Sequence, residues 1–304
     1  MLKGLALTPP IIGRISIGKV VEKNGKRLPE KDDEFTLTSQ VQNKDGWVPH
    51  PLNETLRQAN TKLRQIPVRL LFDDPDLNMR ASYSLFERKT GRPTCVGNGE
   101  SCKRSTHAGV QALPCPAPEG CEFAEGQCKP VGRLNVRVGD EDELGSFIFR
   151  TTGFNSIRTL NTRLRYFAAV SGGRLSTLPL ELRLRGKSTT QSHRTAIYYV
   201  DLTLRSGLSL AEGIQQARTE WENRHAAGFD QLALDQAARE SLALGAFEES
   251  MEDSEAIVEE FYPETGSHHV EQEQPPNAMA TRPGSSGLAG KLASKLDGMS
   301  TIRP

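Results

Sequence analysis

Cys95-Val96-Gly97-Asn98-Gly99, then Cys102, then Cys115-Pro116-Ala117-Pro118-Glu119-Gly120-Cys121, then Cys128, and soon after it the strand-like run Leu134-Asn135-Val136-Arg137-Val138: this stretch holds all five cysteines of the chain. Glycines beside cysteines let the backbone turn so that its amides face thiolate sulfur, and the prolines stiffen the approach. Nothing between residues 89 and 129 shows helix or strand periodicity, so the segment reads as a loop that cannot order itself by burying apolar surface. It needs a staple. In a chain without an export signal, a tetrahedral zinc on four thiolates is a better staple than disulfides, because cytosolic thiols stay reduced. The expected ligands are Cys95, Cys115, Cys121 and Cys128, each with a glycine a few residues away to form a turn. Cys102, followed by Lys103-Arg104, is the expected spare, and His107 can replace one ligand. The spacings between the last three cysteines, five and six residues, are looser than a CxxC knuckle. A flexible loop with free or disulfide-bonded cysteines is the plain alternative. An all-thiolate site leaves no open position for water, so the expected zinc is structural rather than catalytic.

Outward from that loop, the chain of 304 residues suggests one or two domains plus tails. Its 38 basic and 38 acidic residues cancel, but they are not evenly spread. From Gly145 to Val200 stand nine cations against the single acid Glu181, a net charge of +8. From Ser209 to the end, 17 acids face seven Lys and Arg, a net charge of −10. One part suits phosphates or an acidic partner and the other repels them. The opening Met1-Leu2-Lys3-Gly4-Leu5-Ala6-Leu7 starts like a signal peptide, but Pro9-Pro10 interrupts it and Arg14 follows too soon. No apolar run approaches the length of a membrane span. A soluble cytoplasmic protein is expected.

Taken in order, Ile11-Ile12, Ile15, Ile17 and Val20-Val21 form a β-branched run that predicts one or two short strands, and residues 22–35 read as a polar loop. Asn53 is placed to cap a helix from Glu54 to Arg64. Val68, Leu70 and Phe72, then Ala81, Tyr83 and Leu85, predict two strands around the acidic turn Asp73-Asp74-Pro75-Asp76. Residues 132–138 and 147–151 read as a hairpin. Asn155 opens a helix with Ile157, Leu160, Leu164 and Phe167 on one side. Leu178, Leu180, Leu182 and Leu184 predict a strand with a basic outer face, and Tyr198, Val200, Leu202 and Leu204 another. Ser209 and Glu212 form a capping box ahead of Leu210, Ile214, Ala217 and Trp221, and a last core helix runs from about Phe229 to Leu244. Beyond it lie the acidic residues 248–260, a Pro/Gly/Ser/Glu-rich stretch at 263–286, and a short helical pattern at Leu288, Leu292 and Leu296. Strands and helices alternate irregularly, with hairpins, so the expected class is α+β with a mostly antiparallel sheet and packed helices. One domain, 1–247, includes the zinc-stapled loop 89–131; residues 248–304 form an acidic, largely disordered tail.

No catalytic residue stands out. Gly186-Lys187-Ser188-Thr189-Thr190 ends like a phosphate-binding loop, but Glu181 occupies the position of the first glycine and a strand follows instead of a helix. No nucleotide cofactor is expected. The histidines are scattered and name no general base. The basic block carries more weight: Arg150, Arg158, Arg165, Arg183, Arg185, Lys187 and Arg194 are candidates for binding nucleic acid or a protein partner. Such surfaces attract phosphates without reading bases.

Cys95-Val96-Gly97-Asn98-Gly99, Cys115-Pro116, Cys128-Lys129-Pro130-Val131-Gly132-Arg133-Leu134 and Phe149-Arg150-Thr151-Thr152-Gly153-Phe154-Asn155-Ser156-Ile157 resemble a family carried by phages and integrative elements. It is named after the recombination directionality factor of an actinophage large serine integrase, and its members often carry only the label hydrolase or metal-binding protein. The resemblance covers roughly residues 1–210. It implies an accessory protein that binds the integrase on attachment-site DNA and favours excision over integration, with no chemistry of its own. Rival expectations are a nucleic-acid-binding protein of element replication or transfer, and a metal-dependent hydrolase. The second requires an open metal site with a water and a base.

Overall fold

A computed structural model describes residues 10–244, apart from 24–25, 45, 58–60, 141–144, 189 and 191–193. The expectations for the extreme N-terminus and for residues 248–304 lie outside the described residues. By contacts the chain divides into Met1–Gly266 and Ser267–Pro304, and every described residue falls in the first unit.

In chain order the elements are β1 (Ile11–Lys23), β2 (Lys26–Asn43), β3 (Gly46–Pro49), α1 (Pro51–Thr55), β4 (Gln65–Arg69), α2 (Pro75–Asn78), β5 (Met79–Phe86), β6 (Pro93–Gly97), β7 (Ser101–Thr106), β8 (Gly109–Pro114), α3 (Ala117–Gly120), β9 (Lys129–Val138), β10 (Ser146–Thr151), α4 (Phe154–Val170), β11 (Leu180–Lys187), β12 (Ile197–Leu204), α5 (Leu210–Ala226) and α6 (Gln231–Leu244). The class is α+β. The main leaf runs β3-β2-β1-β10-β9-β5-β6-β7-β8. All its pairings are antiparallel except β1 with β10. β9 is shared: its first half pairs β5, while Arg137 and Val138 pair β4, which continues to β11 and β12 as a second leaf.

One core fills the space between the leaves. The main leaf contributes Phe35, Leu37, Leu134, Val136, Phe147 and Phe149, and the second leaf Ile66, Val68, Leu180, Leu182, Val200 and Leu202. The 3.6-residue stripe expected for α4 adds Ile157, Leu160, Leu164 and Phe167. This helix also covers the outer edge of β12, where the Val200 amide donates to Ser156 Oγ at 3.1 Å. An edge strand sealed in this way cannot recruit another chain. At Gly132 a β-carbon would lie 2.9 Å from Ile157 Cγ1, so the absence of a side chain lets α4 approach β9.

Several expectations are corrected. Residues 22–35 are not a loop: β1 is a single strand that pairs along its length with β2, down to Lys23 opposite Lys26. The helix expected over 54–64 is the single turn α1, capped by His50 Nδ1, which accepts from the Leu52 amide at 3.2 Å. Asn53 lies buried inside that turn, where its Oδ1 accepts from the Leu37 amide of β2 at 3.0 Å. The chain leaves helical geometry there because Leu63 is drawn into the core and the Leu63 carbonyl accepts from the Phe35 amide at 2.7 Å. The capping box at Ser209 and Glu212 forms as expected. α5, however, buries Gly213 and Ala217, while Leu210 stays 37% exposed. A β-carbon at Gly213 would meet Leu204 Cδ2 at 2.8 Å, which is why that turn rather than Leu210 makes the contact. The aspartates around Pro75 are ordinary turn residues: Asp74 Oδ1 caps α2, and Asp73 Oδ1 accepts from the Ser176 amide at 2.8 Å. No helix among the described residues is long and apolar enough to cross a membrane.

Candidate functional site

The cysteine segment is a folded extension of the sheet, not the periodicity-free loop expected from its sequence. β6, β7 and β8 continue the main leaf past β5 as an antiparallel meander. Asn98-Gly99 makes the first turn: Asn98 Oδ1 accepts from the amides of Glu100 and Ser101, each at 2.9 Å, and Gly99 has φ +97°. Cross-strand register fixes what shares a face. Leu85, Cys95 and Arg104 stand in one row, and Tyr83, Gly97 and Cys102 in the next. After β8 the chain folds back over this face through Cys115, α3, Cys121 and the 3-10 turn Glu122–Ala124, and Cys128 leads directly into β9.

All five cysteines line one small cavity. Cys95 and Cys102 belong to its sheet floor, and Cys115, Cys121 and Cys128 come from the returning segment. The closeness of approach is set at Gly97, where a β-carbon would lie 2.7 Å from Cys102 Cβ and 2.8 Å from Cys115 Sγ. Ala117, one residue past the Cys115-Pro116 pair, holds φ +61°, a left-handed conformation that a residue with a side chain rarely adopts. All five cysteines are free thiols. Burial first, then the charges of Cys95, Cys121, Cys115 and Cys102, push the Cys128 thiol up to about 12. Burial, a hydrogen bond with Cys95 and its charge raise the Cys102 thiol too. Arg104 is set among the sulfurs. Burial acts to lower its pKa, but a hydrogen bond with Cys95 and the charges of Cys95, Cys102 and Cys121 more than reverse that. Its guanidinium stacks 3.9 Å from the centre of the Phe123 ring. Tyr83 also lines the cavity, its hydroxyl raised by burial and by the charges of Glu119, Cys115 and Cys128.

Two expectations about individual residues change here. Cys102, expected as a spare outside the cluster, is buried in the same cavity, and its Sγ donates to the Pro114 carbonyl at 3.6 Å. His107 sits exposed in the β7–β8 turn and does not line the cavity. Among the described residues, no three His, Cys, Asp or Glu side chains are arranged to hold a metal ion as they stand. The sulfurs therefore converge on a common space without closing on a common centre.

The expected basic surface separates into groups by what each residue touches. Arg183 binds Glu181 at 2.5 Å and Ser206 at 2.8 Å. Arg185 and, from α4, Arg163 share the buried Asp201 at 2.8 and 3.0 Å. Lys187 donates to Asn155 Oδ1 at 3.0 Å, and Arg165 meets Asp76 at 2.8 Å. Arg158 and Arg194 are exposed. Asp201 lies one residue past the window in which the basic block had been counted, so the sequence overstated the free positive charge. Arg150 belongs elsewhere: it stands on the face of the main leaf turned away from the core, directly opposite Arg133 of β9, which in turn stands opposite Arg80 of β5. Arg80 and Arg133 were missed because only strand register brings them beside Arg150.

The family model Gp3-like, described as recombination directionality factor-like, matches residues 12–205, more than half of the chain. The matched span contains the thiol cavity, both leaves of the sheet and α4. No curated protein and no solved structure matches.

Proposed function

The chain belongs to the recombination directionality factor-like family, and from that premise we propose that it is a cytoplasmic accessory protein of site-specific recombination, binding a recombinase on its DNA and favouring excision over integration. The observation that carries this reading is the family match, which runs through the whole cysteine module and the sheet behind it. Such a role is one of docking rather than chemistry. Its test is a pull-down with the large serine integrase of the same element, together with excision and integration assays on attachment-site DNA. Binding and a switch of direction toward excision are expected. No binding and no change of direction would overturn the proposal.

The same reading includes one structural zinc held by Cys95, Cys115, Cys121 and Cys128. The donor chemistry of the cavity supports it, as does the cradle at Gly97, which admits two cysteine side chains where any β-carbon would collide. Leaving Cys102 outside the ligand set is supported by the partner its sulfur already has, the Pro114 carbonyl at 3.6 Å. The ion would supply the positive charge that lets four thiolates share one space. The residues do the rest: Arg104 offsets remaining thiolate charge and seals one wall with Phe123, while the returning segment is fastened to β5, β6 and β7. A hydrolase would need a general base beside the metal, and the polar groups lining this cavity are thiols, one guanidinium and one phenol.

A further inference from the structure

Among the described residues the sheet has three outer strands, β3, β8 and β12. Two of them are closed to further pairing. The β12 edge is covered by α4, where Ser156 Oγ takes the Val200 amide. β3 is only four residues long and ends at Pro49. Covered edges, short strands and proline are the ordinary means of stopping a sheet from growing. β8 uses none of them. It runs Gly109-Val110-Gln111-Ala112-Leu113-Pro114, with no charged side chain and no proline before its last residue. Val110, Gln111 and Ala112 are exposed, Val110 to 49%.

Register decides which peptide groups point outward. In an antiparallel pair, alternate residues exchange both backbone bonds with the neighbouring strand, and the residues between them turn theirs away. The Cys115 amide donates to the Glu100 carbonyl at 2.9 Å, one step beyond the pairing of Ser101 with Pro114. Stepping back in twos, Leu113, Gln111 and Gly109 bond to β7. Val110 and Ala112 therefore turn their amides and carbonyls to the open edge. The edge stops at Pro114, which has no amide and whose carbonyl takes the Cys102 Sγ donor at 3.6 Å. At its other end the turn His107-Ala108 closes the hairpin.

Such an edge complements itself. With a second β8 laid antiparallel across a two-fold axis at Gln111, Val110 of each copy stands opposite Ala112 of the other. Both residues face outward, so each pair exchanges two backbone bonds and every open amide and carbonyl of Val110 and Ala112 is satisfied. A register two residues further along would set Val110 against Pro114, which has no amide to give. The centred register also places Gln111 beside Gln111 in the closely spaced position, where two side-chain amides can bond each other. An uncharged strand brings no like charges together when it meets its copy.

We propose that the β8 edge is a homodimer interface whose occupant is β8 of a second copy in this register, an isologous contact that joins two main leaves into one sheet. Two bonding residues per strand cover less than a standard interface, so the dimer is weak and depends on concentration. The inference stands apart from the recombination role and from the metal.

The test is sedimentation equilibrium of the full, reduced chain from micromolar to submillimolar concentration. The wild type is expected to pass from monomer to dimer. Ala112→Pro removes an outward amide that the monomer does not use, and Gln111 before it is already extended, as a residue preceding proline must be. This variant is expected to stay monomeric, with the melting temperature of dilute wild type. Gln111→Lys and Gln111→Glu each set like charges face to face at the axis. Each is expected to weaken self-association roughly threefold to fivefold, and an equimolar mixture of the two to restore it. A wild type that is monomeric throughout overturns the proposal, including one whose edge instead takes up an extended segment of another protein. So does a dimer that Ala112→Pro leaves intact, or a mixture of the charge variants that associates no better than either alone. If Ala112→Pro does not fold, the charge variants decide by that same criterion.

Discussion

At Gly97 a single methyl group would press on two cysteines at once, 2.7 Å from Cys102 Cβ and 2.8 Å from Cys115 Sγ. Gly97→Ala is therefore expected to cost about 2 kcal/mol by overpacking and to reduce bound zinc; urea unfolding and metal content check both. The cysteines divide by what their sulfurs do. Cys102→Ser keeps the donor to the Pro114 carbonyl and should retain one zinc per chain, whereas Ser at Cys95, Cys115, Cys121 or Cys128 should lose it. Loss of zinc from Cys102→Ser alone would exchange the spare and a ligand. The sequence shows which residues are cysteines and that glycines accompany them. It does not show that the supposed spare shares the cavity, because that depends on Cys102 pairing with Gly97 across two strands.

Elements with a dry face and a wet face were legible. The strands at 147–151, 180–187 and 197–204 and the helix α4 follow from apolar periods of two or 3.6, because a continuous core rewards those periods. β6, β7 and β8 were invisible for the converse reason. Their inward positions are Cys95, Gly97 and Cys102, which do not register as an apolar alternation, and almost all of β8 is exposed. The β1–β2 hairpin hid in polar sequence, although Asn24-Gly25, a strong signal for a two-residue hairpin turn, stands between its strands. Two aspartates, each paired with two arginines, join elements and can be tested. Asp140, after β9, binds Arg205 after β12 and Arg69 of β4, each at 2.8 or 2.9 Å. The Arg205 hydrogen bond, with that of Arg69, holds its carboxyl down at about 2 against the opposing effect of burial. A depressed carboxyl stabilises the fold above the ordinary carboxylate range near 4 and loses that contribution as pH falls through about 2. Because Asp140 is half exposed, the contribution is about 1 kcal/mol or less, and Asp140→Asn should remove this part of the acid sensitivity in unfolding measured from pH 6 to pH 2. Asp201 is the stronger case, being buried under Arg163 and Arg185. Asp201→Ala should cost about 1–3 kcal/mol in urea unfolding, since it removes the acceptor of the buried Leu202 amide along with both ion pairs, while the two arginines, each about 40% exposed, return to water.

In the whole molecule, two kinds of cohesion meet at β5. Toward β9, β10, β4 and β11, the chain is held by an apolar core of phenylalanines, leucines and isoleucines. Toward β6, β7 and β8, that core contributes no residue, and the buried side chains are mainly thiols and small groups. Chelation at neutral pH should therefore open residues 89–131 to limited proteolysis while the two leaves and α4 stay resistant. Structural zinc is worth on the order of 10 kcal/mol in small peptides, enough to decide whether such a module is ordered. A module placed at the end of a long sheet, and made rigid by the proposed zinc, would suit docking to another protein, and its loss should abolish recombinase binding before it unfolds the core. The most direct check is the zinc content of freshly purified, reduced protein, measured by elemental analysis beside the Cys95→Ser variant. One zinc per chain in the wild type and none in the variant is the predicted result; wild-type protein that is folded through β6–β8 without any metal would contradict it.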